Sequence, residues 1–298
     1  MRLQKIKIAL HLHNLWLKGY QKGVKANFSN ADLTDADLSN ANLSGADLSN
    51  ADLTDADLTG ANLSNANLTG ARLSGAGLYK ANLTNANLSN ADLSNANLTN
   101  AELSAGDLSN AYLSNADLTD AKLYKANLSG AGLYKANLTD ADLSNANLTG
   151  ANLTNASLFD ASLFDANLTG ARLYRSDLSD ANLSNADLSN AYLSNAYLSN
   201  ADLTGARLSG ADLTDARLYN TKGNGREIKS TRIEPYTVNY TEERLQIGCE
   251  GHKISDWWAF DEDDIETMDN GALDWWHEHR EKIEHMIIDY IATPTKKD

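Results

Sequence analysis

The sequence predicts a mainly β fold, a solenoid of short coils with a small cap before it and an α/β module after it. Three observations carry this expectation. From Ala26 to Asn220 the chain repeats A-[D/N]-L-[S/T]-[N/D/G] for 39 pentads without an insertion. The central position is Leu in 38 pentads and Phe28 in the first, and the position two before it is Ala except at Gly106 and Ser176. The composition changes on both sides of this array, which itself contains no Pro. Self-similarity at a fixed period marks an architecture in which each unit buries its apolar face on its neighbours.

A period of five suits neither regular element. On an α-helix successive Leu residues would be ~140° apart and would smear around the cylinder. On a straight strand an odd period sends them to alternate faces. A single interior for all of them requires the chain to turn within every pentad, with Leu and Ala inward. Asn, Asp and Gly at the pentad ends suit such turns. Without Pro, every N–H is available for bonding between coils.

These pentads resemble the pentapeptide-repeat family, and the match covers residues 26–220. The resemblance implies four pentads per turn in a right-handed quadrilateral β-helix. At ~4.8 Å per coil the array would form a rod ~47 Å long.

The elements flanking the repeat follow in order. Residues 1–25 hold six basic residues and no acid, and are expected to cap the open end of the coil. The segment HNLWLKG suits a helix, while the alternation of Ile6, Ile8, Leu10 and Leu12 equally suits a strand. His11 and His13 flank Leu12 and are possible metal ligands, with solvated His beside a packed Trp16 as the plainer reading. Residues 221–298 form the third unit, entered through the glycine-bearing linker TKGNG. Two strands are expected around Pro235, from REIKSTRI and YTVNYTEERLQIG. Helices follow, with Ser255 and Asp261 as N-caps and a last helix from about Gly271 to Ala292. Its apolar stripe is Leu273, Trp276, Ile283, Ile287 and Ile291. Through QIGCEGH, SDWWAF and MDNGALDWW this tail resembles a module found behind pentapeptide repeats in phage-encoded proteins of unknown role.

Charge and composition narrow the function. The net charge of −15 argues against a basic nucleic-acid or membrane-binding surface. One cysteine cannot make an internal disulfide, and no apolar run reaches the ~18 residues of a membrane span. The N-terminus mixes Lys and His into its apolar stretch and has no A-x-A-like cleavage site, so the expected location is the cytoplasm. Cys249 and His252 have half the spacing of a zinc site, but no second ligand pair of the right kind follows. No P-loop, dinucleotide fingerprint or nucleophile elbow is present, so neither an enzyme nor a cofactor is expected.

Function is therefore expected on the outer surface of the rod. The repeat carries 22 acids and nine bases. Seven acids and no base occupy pentads 31–60. With four pentads per coil, Asp32 lies below Asp52 and Asp37 below Asp57. Duplex DNA of ~47 Å would carry ~28 charges, so the rod could imitate DNA in sign and width at about half its net density. The family resemblance points the same way, because relatives linked to quinolone resistance act as DNA mimics on type II topoisomerases; the basic bands and the absence of projecting loops depart from them. The same register places Arg72, Tyr112, Tyr134, Arg172, Tyr174 and Tyr192 on one face, and Tyr and Arg are interface-anchoring types. Of the four tail tryptophans, Trp258 and Trp275 are the candidate docking residues. The expected function is a non-enzymatic, phage-encoded binding rod that engages a host topoisomerase, nuclease or defence factor. No direct nucleic acid or membrane partner is expected, and a terminal module is the expected dimer contact. The alternatives are a structural scaffold or spacer, and a metal-dependent activity in the tail.

Overall fold

The computed structural model describes residues 3–269, 271–289 and 292. Its body is a β-helix. Parallel bridges join residues twenty apart along the whole array, from Asn27 with Asp47 to Asp202 with Lys222. Twenty residues are four pentads, so each coil has four sides and residues twenty apart stack.

One pentad shows how the backbone is satisfied. In Ala116–Asp120, the Ala116 N–H closes a turn on the Leu113 carbonyl at 3.1 Å. Asp117 donates to Ala96 of the preceding coil at 2.9 Å, while Leu118 and Asp120 donate to Asn137 and Thr139 of the next at 2.7 and 3.0 Å. The remaining N–H, that of Thr119, donates to the Asp117 carboxylate at 3.1 Å. All five donors of the pentad thus have partners, as a buried backbone requires. Asp or Asn at the second position is therefore a turn-forming residue before it is a surface charge.

The fifth position is left-handed throughout the coil. Asn and Asp tolerate this best, as at Asn110 (φ 55°) and Asp120 (φ 58°), but Lys80, Ala105, Lys125, Lys135 and Arg175 adopt it as well. Inside, the Leu ladder and its Ala neighbours form one continuous buried cluster. Ser176, one of the two exceptions to Ala, is fully buried and donates its hydroxyl to the Leu173 carbonyl at 2.8 Å.

Helix α1 (Leu3–Leu17) closes the first coil. Ile6 is buried in the coil's core, with Ala9 and Leu10 packed against it, whereas Ile8 is exposed. A strand would have put Ile6 and Ile8 on one side; the three- and four-residue spacing of Ile6, Ala9, Leu10 and His13 instead makes one helix face. The reading of His13 as a solvated residue is corrected here. It is fully buried, accepts the Ala26 N–H at Nδ1 (3.0 Å) and stacks on Trp16 at 5.3 Å, while Trp16 is the more exposed of the pair. Burial holds its pKa below the ordinary 6.5. A lowered folded-state pKa gives stability that is present above the unfolded value and lost as pH falls through the folded one. Acidification below about pH 6.5 should therefore loosen α1 selectively. Amide exchange at Ala26 should accelerate with acid in the wild type relative to the acid response of a His13→Gln variant; equal responses would refute the coupling.

The tail departs from the two expected strands. It holds a four-stranded antiparallel sheet in sequential order, β1 (Lys229–Ile233), β2 (Tyr236–Tyr240), β3 (Arg244–Ile247) and β4 (Glu250–Lys253). The second expected strand is split at Thr241–Glu243, where Thr241 Oγ1 accepts the Arg244 N–H at 3.2 Å. A second turn at Gly248 (φ 56°) returns the chain as β4. Three helices follow, α2 (Ile254–Ala259), α3 (Glu262–Glu266) and α4 (Ala272–Asp289). Asp261 caps α3 in a reciprocal capping box with Asp264. Ser255 lies inside α2, whose N-cap is Lys253 without a side-chain bond. Trp276 and Ile283 of α4 are buried in a second core with Val238, Leu245 and Trp257, while Leu273 and Ile287 pack at its edge. Ile291, the last residue of the expected stripe, lies outside the described residues.

The sheet sits directly on the last coil. Gln246 Oε1 accepts the Leu218 N–H at 2.7 Å, and Asn239 Nδ2 donates to the Leu218 carbonyl. Asn239 and Gln246 are both buried, so their amides stand in for the coil that would otherwise come next. Ile228 joins the solenoid core, and Arg244 pairs with Asp215 at 2.5 Å.

Candidate interaction surface

The bridges sort the second position of each pentad into four ladders. One ladder carries Asp32, Asp52, Arg72, Asp92, Tyr112, Gly132, Asn152, Arg172, Tyr192 and Asp212. Its neighbour carries Asp37, Asp57, Gly77, Asn97 and Asp117 in its first half. The structure thus stacks Asp32 on Asp52 and Asp37 on Asp57 as adjacent ladder positions. Tyr134 and Tyr174 belong to the first face as well, since their carbonyls accept the N–H groups of Asn115 and Asn155 in the coils below.

The acidic residues are anchored. Asp37 accepts the Ser39 hydroxyl at 2.7 Å, Asp52 accepts the Thr54 hydroxyl at 2.6 Å, and Asp57 accepts the Thr59 N–H at 2.9 Å. The Thr34 amide on Asp32, the Ser39 hydroxyl on Asp37, the Ser49 amide on Asp47 and the Thr54 hydroxyl on Asp52 hold these carboxyls below the usual range. They remain ionised well into the acidic range, and the part of their stabilisation that depends on charge is lost only as pH falls through those lowered values.

Bases reach this acidic end. Arg72 lies 3.1 Å from Asp52, and the charges of Lys7 and Lys25 act on Asp37 and Asp47. A twenty-residue offset would have revealed the Asp52–Arg72 pair in the sequence. The influence of α1 required the docked helix.

On the aromatic face Tyr112 and Tyr192 are 61% and 54% exposed, the most open of the repeat's tyrosines. Lys135 lies 5.3 Å over the Tyr134 ring, and Arg175 5.2 Å over that of Tyr174. Such stacking holds each cation and ring in one arrangement. Arg172 is exposed in the same pentad as Tyr174.

The tail residues are placed differently. Trp258 is half-buried, tilted against Trp276 at 5.4 Å. Trp275 is half-buried too; its Nε1 donates to the Glu234 carbonyl at 2.9 Å and its ring stacks on His279 at 4.8 Å. Cys249 is exposed, whereas His252 meets the edges of Phe260 and Trp257 at 4.9 and 5.5 Å. Among the described residues, no group of three or more His, Cys, Asp or Glu is arranged to hold a metal ion. A cleft of about 580 Å³ opens between the last coils and the sheet, lined in part by Asp215, Arg217, Tyr219 and Arg244. No helix among the described residues is long and apolar enough to cross a membrane.

A coil of twenty residues, an interior of stacked Leu and ends closed by α1 and the sheet define a β-helical solenoid of the repeat-protein class. The chain belongs to the pentapeptide repeat family, whose sequence pattern matches in eight copies running through residues 26–133 and 136–220. The structure is similar to that of HetL, a pentapeptide repeat protein involved in heterocyst differentiation regulation in the cyanobacterium Nostoc sp. strain PCC 7120. The two share 41% identity over 71% of this chain and 94% of HetL, with a TM-score of 0.54. A pentapeptide repeat protein of the Arabidopsis thaliana thylakoid lumen is 38% identical over 32% of this chain and 66% of its own, with a TM-score of 0.31. QnrB1, a plasmid-mediated fluoroquinolone resistance protein, is 23% identical over 54% of this chain and 86% of its own, with a TM-score of 0.38. Among curated proteins, none matches the sequence.

Proposed function

We propose that the chain is a non-enzymatic binding rod, phage-encoded and active in the host cytoplasm. In this reading its acidic surface occupies the DNA-binding surface of a host topoisomerase, nuclease or defence factor. The observation that carries it is the pair of stacked carboxylate ladders, Asp32 with Asp52 and Asp37 with Asp57, on adjacent faces of one end of the rod. Hydrogen bonds from Ser39 and Thr54 fix Asp37 and Asp52 in place, so their charges are displayed in a set geometry rather than on mobile side chains. The right-handed quadrilateral coil that the family resemblance implies would give this display the width of a duplex. Tyr112, Tyr134, Arg172, Tyr174 and Tyr192 would add anchors along the rod, and Trp258 and Trp275 would act from the tail.

One observation favours the scaffold reading. Because Asp at the second position accepts its own turn's N–H, coil formation alone accounts for many of the acids. Asp37→Asn together with Asp57→Asn separates the two readings, since the amide oxygen keeps the turn and removes the charge. The expected result is that the wild-type chain displaces duplex DNA from a purified bacterial type II topoisomerase at low salt, with displacement weakening as salt rises. The double variant should lose roughly tenfold or more in potency. Unchanged potency would leave the spacer as the better account of this surface, and wild-type protein that displaces nothing would remove the topoisomerase from the set of partners.

A further inference from the structure

One stretch of the rod opposes the charge of the chain as a whole. On the Tyr112 face, pentads 111–115, 131–135, 151–155, 171–175 and 191–195 contain no acid but hold Lys135, Arg172 and Arg175. Toward the N-terminal end the same face holds Asp32, Asp35, Asp52, Asp55 and Asp92, with Arg72 the one base among them. From the first coil to pentad 191–195 the face is therefore polarised, acidic on one side of Tyr112 and basic on the other. The next pentad, 211–215, adds Asp212 and Asp215, which fall beyond the stretch that a two-fold axis at Tyr112 pairs, and Asp215 is held by Arg244.

The two halves are in register about Tyr112. Successive bridges carry Asp52 three coils to one side of it and Arg172 three coils to the other. Asp55 and Arg175 hold the corner position of those same two coils, both left-handed at φ 54° and 53°. A two-fold axis in the plane of the face, perpendicular to the rod and passing through the Tyr112 coil, exchanges the two sides and keeps each residue's lateral position. It sets Asp52 against Arg172 and Asp55 against Arg175, and does so twice, as an isologous contact must. Arg72, already paired with Asp52, comes opposite Asn152 and meets no cation. Asp92 comes opposite Gly132, one residue type that leaves space, with Lys135 in the same pentad. Tyr112 meets its own copy on the axis.

We propose that two copies of the chain pack antiparallel, face to face, through this polarised surface. The contact is small. Some nine coils span ~40 Å and one extended side is ~10 Å wide, so each copy presents on the order of 400 Å². A standard interface uses ~800 Å² per partner, so the dimer is weak, reversible and salt-sensitive. This contact is separate from the terminal modules and does not depend on the partner-binding reading. It covers Asp32, Asp52, Tyr112, Arg172 and Tyr192 and leaves Asp37 and Asp57 open on the neighbouring face.

The test is sedimentation velocity of the full chain over a wide concentration range, at low and high salt, with two charge reversals. Asp55→Lys and Arg175→Asp place residues in left-handed corners that Lys135 (φ 56°) and Asp35 (φ 54°) already occupy, so the coil is retained. Wild type should dimerise at low salt and dissociate at high salt. Each single variant should associate roughly tenfold or more weakly, because both symmetry-related contacts become like-charged. An equimolar mixture of the two variants should regain wild-type association, since both contacts across a mixed pair are again opposite in sign. A wild-type chain that stays monomeric throughout, single variants that associate normally, or a mixture that fails to recover would each overturn the proposal.

Discussion

Replacing Leu123 with alanine is expected to destabilise the rod by about 2–5 kcal/mol. Leu123 is fully buried in the middle of the Leu ladder, with a complete coil above and below. Its own N–H bonds to Asp142 at 2.7 Å, and the Leu103 N–H reaches Lys122 beside it, also at 2.7 Å, so the backbone around it is fixed on both sides. Such a site has little freedom to collapse into the space left behind, and close-packed interiors transmit that loss. The same change at Leu213, 7% exposed in the last coil, should cost less because one neighbour is the docked sheet rather than another coil. Urea titrations of the two variants provide the check. An effect at Leu123 below about 1 kcal/mol, or no larger than at Leu213, would contradict a core packed to interior density.

The second large effect is expected at the C-terminal closure. Changing Asn239 and Gln246 together to leucine should cost about 1–3 kcal/mol for each backbone group of Leu218 left without its partner. Both side chains are buried, so water cannot easily substitute for them. The Arg244–Asp215 ion pair is half exposed on the Asp side and will not compensate, because exposed pairs contribute little. Amide exchange at Leu218 should accelerate selectively in the double variant. Retained protection there would mean that the sheet closes the coil by some contact other than these two amides.

The solenoid was legible in the sequence because a period of five with Leu at its centre admits only a chain that turns in every pentad. The twenty-residue offset then located Asp32 under Asp52 and gathered Tyr112, Arg172 and Tyr192 on one face. What the period could not convey was the double role of its polar positions. Asp117 reads as a charge, yet it is the acceptor that completes the hydrogen bonding of its own pentad. Closure of the ends was illegible for a different reason. His13, Asn239 and Gln246 look like ordinary polar residues until the helix and the sheet are docked and their side chains take the places of missing backbone. The tail holds four strands rather than two because the turns at Thr241–Glu243 and Gly248–Cys249 carry weaker local signals than the one at Pro235. The balance of charge at the acidic end also depended on a helix whose lysines are distant in sequence from the carboxylates they influence, as Lys7 is from Asp37.

The strict spacing of twenty residues per coil has a consequence for inheritance. A gene coding for such an array can gain or lose twenty codons at almost any point and still encode an intact Leu ladder, a rod longer or shorter by ~4.8 Å and every later face in its former direction. Loss of only five codons is a different event. The interior would still be filled, but every residue beyond the junction would turn by one side, carrying Arg172 away from the face of Tyr112. Recombination can therefore edit length and reorient decoration independently, and selection for a particular face would show itself as a preference for changes in whole coils.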